Sequence, residues 1–410
     1  MPLTVLFLHQ NFPGQYKLLA DHLSRSEDVT VVAVGQKSPS QQDFGRVRYE
    51  SYSARADFGP EHFPPLHFFS EQVRRGDMVR WKLLALKHKG FSPDICFVHP
   101  AWGEALFLRD VFPNTKIVSH LEFYYRGTGS DLDFDPEFPV PATDLHYVSL
   151  RNLPTLQTAA ISDILVSPTV WQANTFPTAL SQRAKVIHEG IDTALASPAP
   201  ASPLHLGSGL TLAPGGTLIT YVARSMEPYR GFHTFMRALP HLLRLLPHAQ
   251  VAIVGKDEPS YGRRPAQGGS WKQAMLAEVG AQIDRDRVHF LGTLTYSDLI
   301  ALFRLSTVHA YLTYPFVLSW SLLDGMACGC AVVGSATAPV MEVIRDGQNG
   351  VLADFFDARA LAETIAATAE NARLRAHITI NARQTIMDSY DFRGVSLPAY
   401  ESLIRTALDA

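Results

Sequence analysis

The chain has 410 residues, 46% of them apolar and 18% charged, with a formal charge of -3 at pH 7. That length exceeds one ordinary hydrophobic core and predicts two domains, and the near-neutral charge argues against nucleic acid as a partner. No apolar run reaches the roughly eighteen residues of a membrane span, and the three cysteines (Cys96, Cys328, Cys330) show no paired spacing, which predicts a reducing, cytoplasmic setting.

Taken in order, Leu3 to Leu8 reads as a first strand and not as a leader, since no basic flank precedes it and polar residues follow at once. The loop HQNFPGQ then leads into a helix from Tyr16 to Leu23, with Leu18, Leu19 and Leu23 inward. Gly14 falls where strand gives way to helix. A missing side chain there lets a ligand approach backbone amides, although turns use glycine for other reasons too. Val29 to Val34 is a second strand, and residues 36–70 show no clear period.

Met78 to Lys89 is expected to be a helix with Val79, Leu83 and Leu86 on one face. Its basic residues Arg80, Lys82, Lys87 and Lys89 suit either the outer side of a sheet-covering helix or contact with anionic lipid. Strands follow at Asp94 to Val98, Lys116 to Ser119, Ile164 to Ser167 and Lys185 to Ile187. His99 and the run His120-Leu121-Glu122 come directly after strands, as buried structural histidines or as groups lining a ligand cleft. The proline-rich insertion from Ser130 to Asp144 carries Asp131, Asp133 and Asp135, whose spacing suits either a solvated acidic loop or a divalent metal under a diphosphate.

A Pro/Gly/Ser-rich segment from Ser197 to Gly216 is the clearest domain boundary. Strand and helix then alternate again: Leu218 to Ala223, Phe232 to Leu246, Val251 to Val254, Trp271 to Ile283, Val288 to Leu291 and Tyr296 to Phe303. Arg224 and Arg230 flank the first loop of this half, where two fixed cations would suit a diphosphate. Val308 to Leu312 is a strand, Tyr314-Pro315-Phe316 turns the chain, and Ser319 or Ser321 caps a helix that ends at Gly329. A strand from Cys330 to Val333 follows. Asp324 lies in the first turns of that helix and Glu342 beyond the next loop. A helix start attracts phosphate, and a nearby carboxylate can accept both ribose hydroxyls. The same placements also suit a plain helix-start preference and a solvated cap. Alternating elements in both halves indicate two doubly wound, Rossmann-like α/β domains. Their expected limits are 1–193 and 217–392, joined by a linker at 194–216 and followed by a helical tail, 393–410, free to pack back on the first domain.

The run LLDGMACGCAVVGS with PVMEVIRDGQNGVLADFFD resembles the carboxyl-terminal signature of the retaining, nucleotide-sugar-dependent glycosyltransferases of the GT-B fold. That large family includes sucrose synthase-like and mannosyltransferase-like enzymes. VARSMEPYRGF resembles its diphosphate loop, with Arg224 in the arginine position and Arg230 in the lysine position. HQNFPGQ resembles its glycine loop facing the donor, VIHEGID its interdomain connector, and SHLEFYY places His120 where members carry a histidine near the donor sugar. The resemblance implies a donor cleft between the domains, retention of configuration and no metal. It also implies donor contacts from Gly14, Arg224, Arg230, Phe316, Val317, Leu318, Ser319, Asp324 and Glu342, with His120 and the two arginines acting in catalysis.

One departure stands out. The family carries two glutamates eight positions apart: the second, ribose-binding one aligns with Asp324, and the first, sugar-contacting one with Phe316. A phenyl ring cannot accept a hydroxyl's hydrogen bond, so sugar recognition falls to other groups, such as the backbone amides of 317–319. The expectation is a glycosyltransferase using a nucleotide sugar, a UDP-sugar by family habit, and a glycan, lipid-linked or small-molecule acceptor. It needs no cofactor and sits in the cytoplasm, free or at the inner membrane face. Two alternatives stay open: a nucleotide-sugar epimerase of the same fold, and a non-catalytic relative that binds nucleotide only.

Overall fold

The computed structural model describes residues 3–36, 45–53, 63, 66–145, 147–207 and 209–409, so much of the unassigned stretch 36–70 lies outside the described residues. Seven strands form a first parallel sheet: β1 (Leu3–Leu8), β2 (Val29–Gly35), β3 (Arg48–Ser51), β4 (Ile95–Val98), β5 (Lys116–His120), β6 (Ile164–Ser167) and β7 (Ala184–Val186), in the order β3-β2-β1-β4-β5-β6-β7. Strand alternation sorts β1 onto two cores. Val5 and Phe7 pack with Leu397, Tyr400, Leu403 and Ile404 of the last helix, Leu397–Asp409. Leu6 and Leu8 pack with Val79, Leu83 and Leu86 of the helix His67–His88. With apolar cover on both faces, β1 and β4 can be almost wholly hydrophobic.

A short hairpin, β8 (Leu204–His205) with β9 (Thr211–Leu212), precedes the second sheet. That sheet comprises β10 (Leu218–Ser225), β11 (Gln250–Lys256), β12 (Val288–Gly292), β13 (Val308–Tyr311), β14 (Ala331–Ser335) and β15 (Val351–Ala353). All its pairings are parallel, in the order β12-β11-β10-β13-β14-β15. Counted within each unit, the first sheet runs 3-2-1-4-5-6-7 and the second 3-2-1-4-5-6, the doubly wound order whose chain direction reverses between the first and fourth strands. Ligands of such folds sit at that reversal, beyond the carboxyl ends of the strands. The structure is thus two parallel-sheet α/β domains of the doubly wound kind.

The chain divides into Met1–Gly190 with Phe392–Ala410, and Ile191–Asp391. The stretch read from sequence as a linker, 194–216, belongs with the second unit: Ala196, Leu204 and Leu212 are buried in its core beside Leu305 and Met326. Proline and serine between these apolar residues masked the hairpin. The helix expected from Met78 begins eleven residues earlier, at His67. Its first half buries Gln72, whose side-chain amide donates to the Ala101 carbonyl at 2.6 Å, so a polar residue occupies a core position and breaks the apolar period. No helix among the described residues is long and apolar enough to cross a membrane.

Candidate active site

In the second unit, Arg224 is the penultimate residue of β10, at the reversal point, and the loop that follows carries Glu227, Tyr229 and Arg230. Arg230 is buried, its guanidinium carbon 5.4 Å from the Tyr261 ring centre and 5.6 Å from that of Phe316. One nitrogen, Nη1, donates both to the Thr313 hydroxyl (2.9 Å) and to the Val317 carbonyl (2.8 Å). Nε has no hydrogen-bond partner among the described residues. Arg224 is exposed; its Nη1 lies 3.4 Å from the Tyr261 hydroxyl and its charge 5.9 Å from that ring. Tyr261 therefore stands between the two cations. It is held there by Glu227, a fully buried carboxylate that accepts from the backbone N–H groups of Ser260, Tyr261 and Gly262, the last at 2.8 Å. Three successive amides around one anion form a concave nest, and here the protein's own side chain fills it.

Phe316 is buried, with its ring edge-on to Tyr229 (5.3 Å) and Tyr261 (4.8 Å). Ser319 caps the helix Trp320–Cys328 as expected: its hydroxyl accepts from the Ser321 amide, and its own amide donates to the Tyr311 hydroxyl at 2.8 Å. The helix ends at Gly329, in the left-handed region that glycine tolerates. Asp324 is buried on this helix and accepts a hydrogen bond from the Tyr296 hydroxyl at 2.9 Å.

In the first unit, histidines and glutamates gather at the carboxyl ends of β1, β4, β5 and β7. His9 follows β1, and its Nε2 lies 2.7 Å from the Gln15 side-chain oxygen. Gln15 donates in turn to Glu122 at 2.5 Å, and the other Glu122 oxygen lies 3.3 Å from His99 Nε2. His99 stacks on Trp102 at 4.1 Å. Beyond β7, the Glu189 carboxylate lies 3.0 Å from His120 Nε2 with one oxygen and 3.3 Å from His188 Nε2 with the other. Burial, aided by His99, pushes the His9 imidazole down to about 3. Burial works against ionised Glu189, but His188 and His120 outweigh it and hold the carboxyl at about 2. Glu122 is lowered in the same way, with His99 overcoming the burial cost.

Among the sequence-predicted residues, Arg224, Arg230, Phe316 and Val317 come together around Tyr261. Leu318 instead turns into the second unit's core, because alternate residues of this extended turn face inward. Glu342 is exposed at the end of the short helix Ala338–Met341. Gly14 has φ +48, and a Cβ there would stand 2.3 Å from the His9 ring, so the space left by its missing side chain is filled by an imidazole. His120 is buried next to Glu189. Asp133 and Asp135 accept backbone amides of their own segment, from Gly129 and Glu137, and so close turns. On the long helix, Arg80 pairs with Asp77 and Lys82 with Glu50, while Lys87 donates to the Val111 carbonyl.

Sequence reasoning missed Tyr261, Glu227, His9 and the His188–Glu189 pair as site residues. The usable signal was the same in each case: a titratable or aromatic residue just past the carboxyl end of a strand. Tyr261 gave the least, lying five residues beyond β11 in a loop without period.

Residues 27–196 match the family model described as glycosyl transferase family 4 group, and residues 210–385 that for glycosyl transferases group 1. The D-inositol 3-phosphate glycosyltransferase of Mycolicibacterium vanbaalenii is 30% identical over 186 residues, which are 45% of this chain and 40% of that protein. The chain thus spans less than half the length of the curated relatives it matches. Among solved structures, Anabaena HepE, in complex with UDP and glucose, superposes with a TM-score of 0.68 at 19% identity, over 98% of this chain and 99% of its own. Sucrose-phosphate synthase from Thermosynechococcus elongatus superposes over the whole of both chains with a TM-score of 0.73 at 16% identity.

Proposed function

The chain belongs to the GT-B glycosyltransferases, its first half matching the family 4 group and its second half group 1, and from that premise we propose that it transfers a sugar from a nucleoside-diphosphate sugar to an acceptor hydroxyl. The observation that carries the reading is the pair Arg224 and Arg230 at the reversal point of the second sheet, close to the helix start capped by Ser319. A diphosphate gains charge as it leaves, and preorganised cations stabilise that charge more than they stabilise the resting donor. Arg230 is held by Thr313 and Val317 before any ligand arrives, so little reorganisation is needed. Asp324 is the acceptor for the ribose diol, and Tyr296 fixes one of its oxygens.

The donor is a UDP-sugar in this reading, supported by the UDP-glucose bound to HepE. The inositol-phosphate relatives make a phosphorylated polyol the first acceptor to test, ahead of glycans and lipid-linked acceptors. With no carboxylate assigned as a nucleophile, the departing phosphate takes the acceptor's proton on the face it leaves, which retains configuration. The arginines supply the positive charge that a divalent metal supplies elsewhere.

The test is release of nucleoside diphosphate from UDP-, GDP- and ADP-sugars, with and without acceptor and with EDTA. The anomeric configuration of the product would be read by NMR. Turnover of a UDP-sugar that survives EDTA and keeps the donor's configuration is expected. An EDTA-sensitive reaction would remove the metal-independent part, an inverted product the retaining part, and no release with any donor would remove the transferase itself.

A further inference from the structure

Glu189 lies in the segment after β7, is only 8% exposed, and has no role in the transfer as described above. A carboxylate so enclosed is costly unless it is paired, and both of its oxygens face imidazoles. One of the two contacts has a fixed proton. His188 Nδ1 accepts the Gly190 amide at 2.9 Å, so the proton of neutral His188 sits on Nε2, 3.3 Å from Glu189 Oε2. That leaves Oε1 for His120, whose Nε2 lies 3.0 Å away. His120 is 2% exposed, and neither of its ring nitrogens has an aligned hydrogen-bond partner among the described residues. An anion at that distance favours a proton on the near nitrogen and leaves the far one, Nδ1, as an acceptor with no partner among the described residues.

We propose that Glu189 is a positioning residue: anchored on His188, its carboxylate keeps the proton of His120 on Nε2 and so leaves Nδ1 as the ring's acceptor nitrogen. The imidazole could then take a hydrogen bond from a donor-sugar or acceptor hydroxyl through Nδ1, a consequence that rests on the transferase reading above. Other titratable groups surround the pair. His9 and His99 approach from the loops after β1 and β4, and Glu122 from the loop after β5. Tyr16 approaches His120 edge-on at 6.0 Å, and Tyr400 faces Glu189 from the last helix. Of these only Glu122 is anionic at neutral pH, and its two oxygens face Gln15 and His99. Glu189 is the one carboxylate in ion-pair contact with His120 among the described residues.

The experiment is nitrogen-15 NMR of histidine-labelled, ligand-free protein, with His120 assigned by loss of its signals in His120→Gln. In the wild type the neutral His120 should be the Nε2–H tautomer. In Glu189→Gln the tautomers should mix, because an uncharged amide no longer selects the near nitrogen. A wild-type Nδ1–H tautomer would overturn the proposal even if Glu189→Gln does not fold. So would an unchanged tautomer in a folded Glu189→Gln protein. If the wild type turns over a donor, Glu189→Gln should shift the pH profile of kcat and leave the donor KM within about twofold. A wild type inert toward every donor would instead sink the transferase reading and leave the NMR result standing.

Discussion

Replacing Arg230 with lysine and with methionine separates what this side chain does for the loop from what it does for a leaving group. In the folded protein a single nitrogen makes both hydrogen bonds, to Thr313 and Val317, and the rest of the guanidinium lies against Tyr261 and Phe316. Methionine keeps the stem and removes both bonds. Two hydrogen bonds to a charged donor, at about 1.5 kcal/mol each as a lower figure, put the stability loss near 3 kcal/mol. Lysine places one ammonium where Nη1 stands and can make the same two bonds. It loses only the planar contact with the rings, worth about 0.5–2 kcal/mol. The catalytic loss adds to this: about 2–4 kcal/mol in the barrier for methionine, the range for a preorganised charge stabiliser, and clearly less for lysine. Urea denaturation gives the first quantity, and single-turnover kinetics on folded protein the second. Wild type should exceed lysine, and lysine should far exceed methionine, in both. A methionine variant that is destabilised but reacts within threefold of wild type would show that Arg230 only holds the Val317 turn. The diphosphate role would then be refuted.

Asp324→Asn should weaken UDP binding by about 1–3 kcal/mol in calorimetry, because a neutral amide is a poorer double acceptor for a diol; unchanged affinity in a folded variant would remove Asp324 from the site. Phe316→Leu should cost about 1–3 kcal/mol of stability by losing two edge-to-face aromatic pairs while UDP binding persists, as measured by urea denaturation and calorimetry. Phe316→Glu should additionally lower donor affinity, since the new carboxylate would be buried beside Arg230 and compete with phosphate for it. Stability should also fall as pH drops from about 6.5 toward 4. Burial holds His9 down to about 3 and His309 down to about 4, so the unfolded chain takes up their protons first. Each histidine then removes up to about 1.4 kcal/mol per pH unit in that window, whereas Glu189, held at about 2, adds its loss only below about 4.5. Urea midpoints at pH 7, 5.5 and 4.5 should show the decline, shallower in His309→Gln; a flat wild-type profile would contradict it.

The amino-acid sequence alone determined the parallel α/β grammar of both halves, because buried parallel strands must be continuous apolar runs. Leu3–Leu8, Val29–Gly35, Ile164–Ser167 and Val308–Tyr311 are legible on that ground. The Ser319 cap and the Gly329 stop were legible too, since both depend on backbone geometry within one turn. What depended on residues far apart in the chain was not legible. Arg230 was legible only as a cation suited to a diphosphate; its burial among Thr313, Val317 and Phe316, more than eighty residues away, was not. Gly14 suggested room for a ligand until the His9 ring was found in that room. Gln72, a polar core residue, hid half a helix, and the turn through 194–216 hid a hairpin that closes a core. Glu189 looked like part of a connector, and only the sheet's strand order brings it to His120. Local sequence sets which backbone forms, through periodicity and capping. Whether a side chain's charge is solvated, paired or aimed at a ligand is set by neighbours that only the tertiary fold supplies.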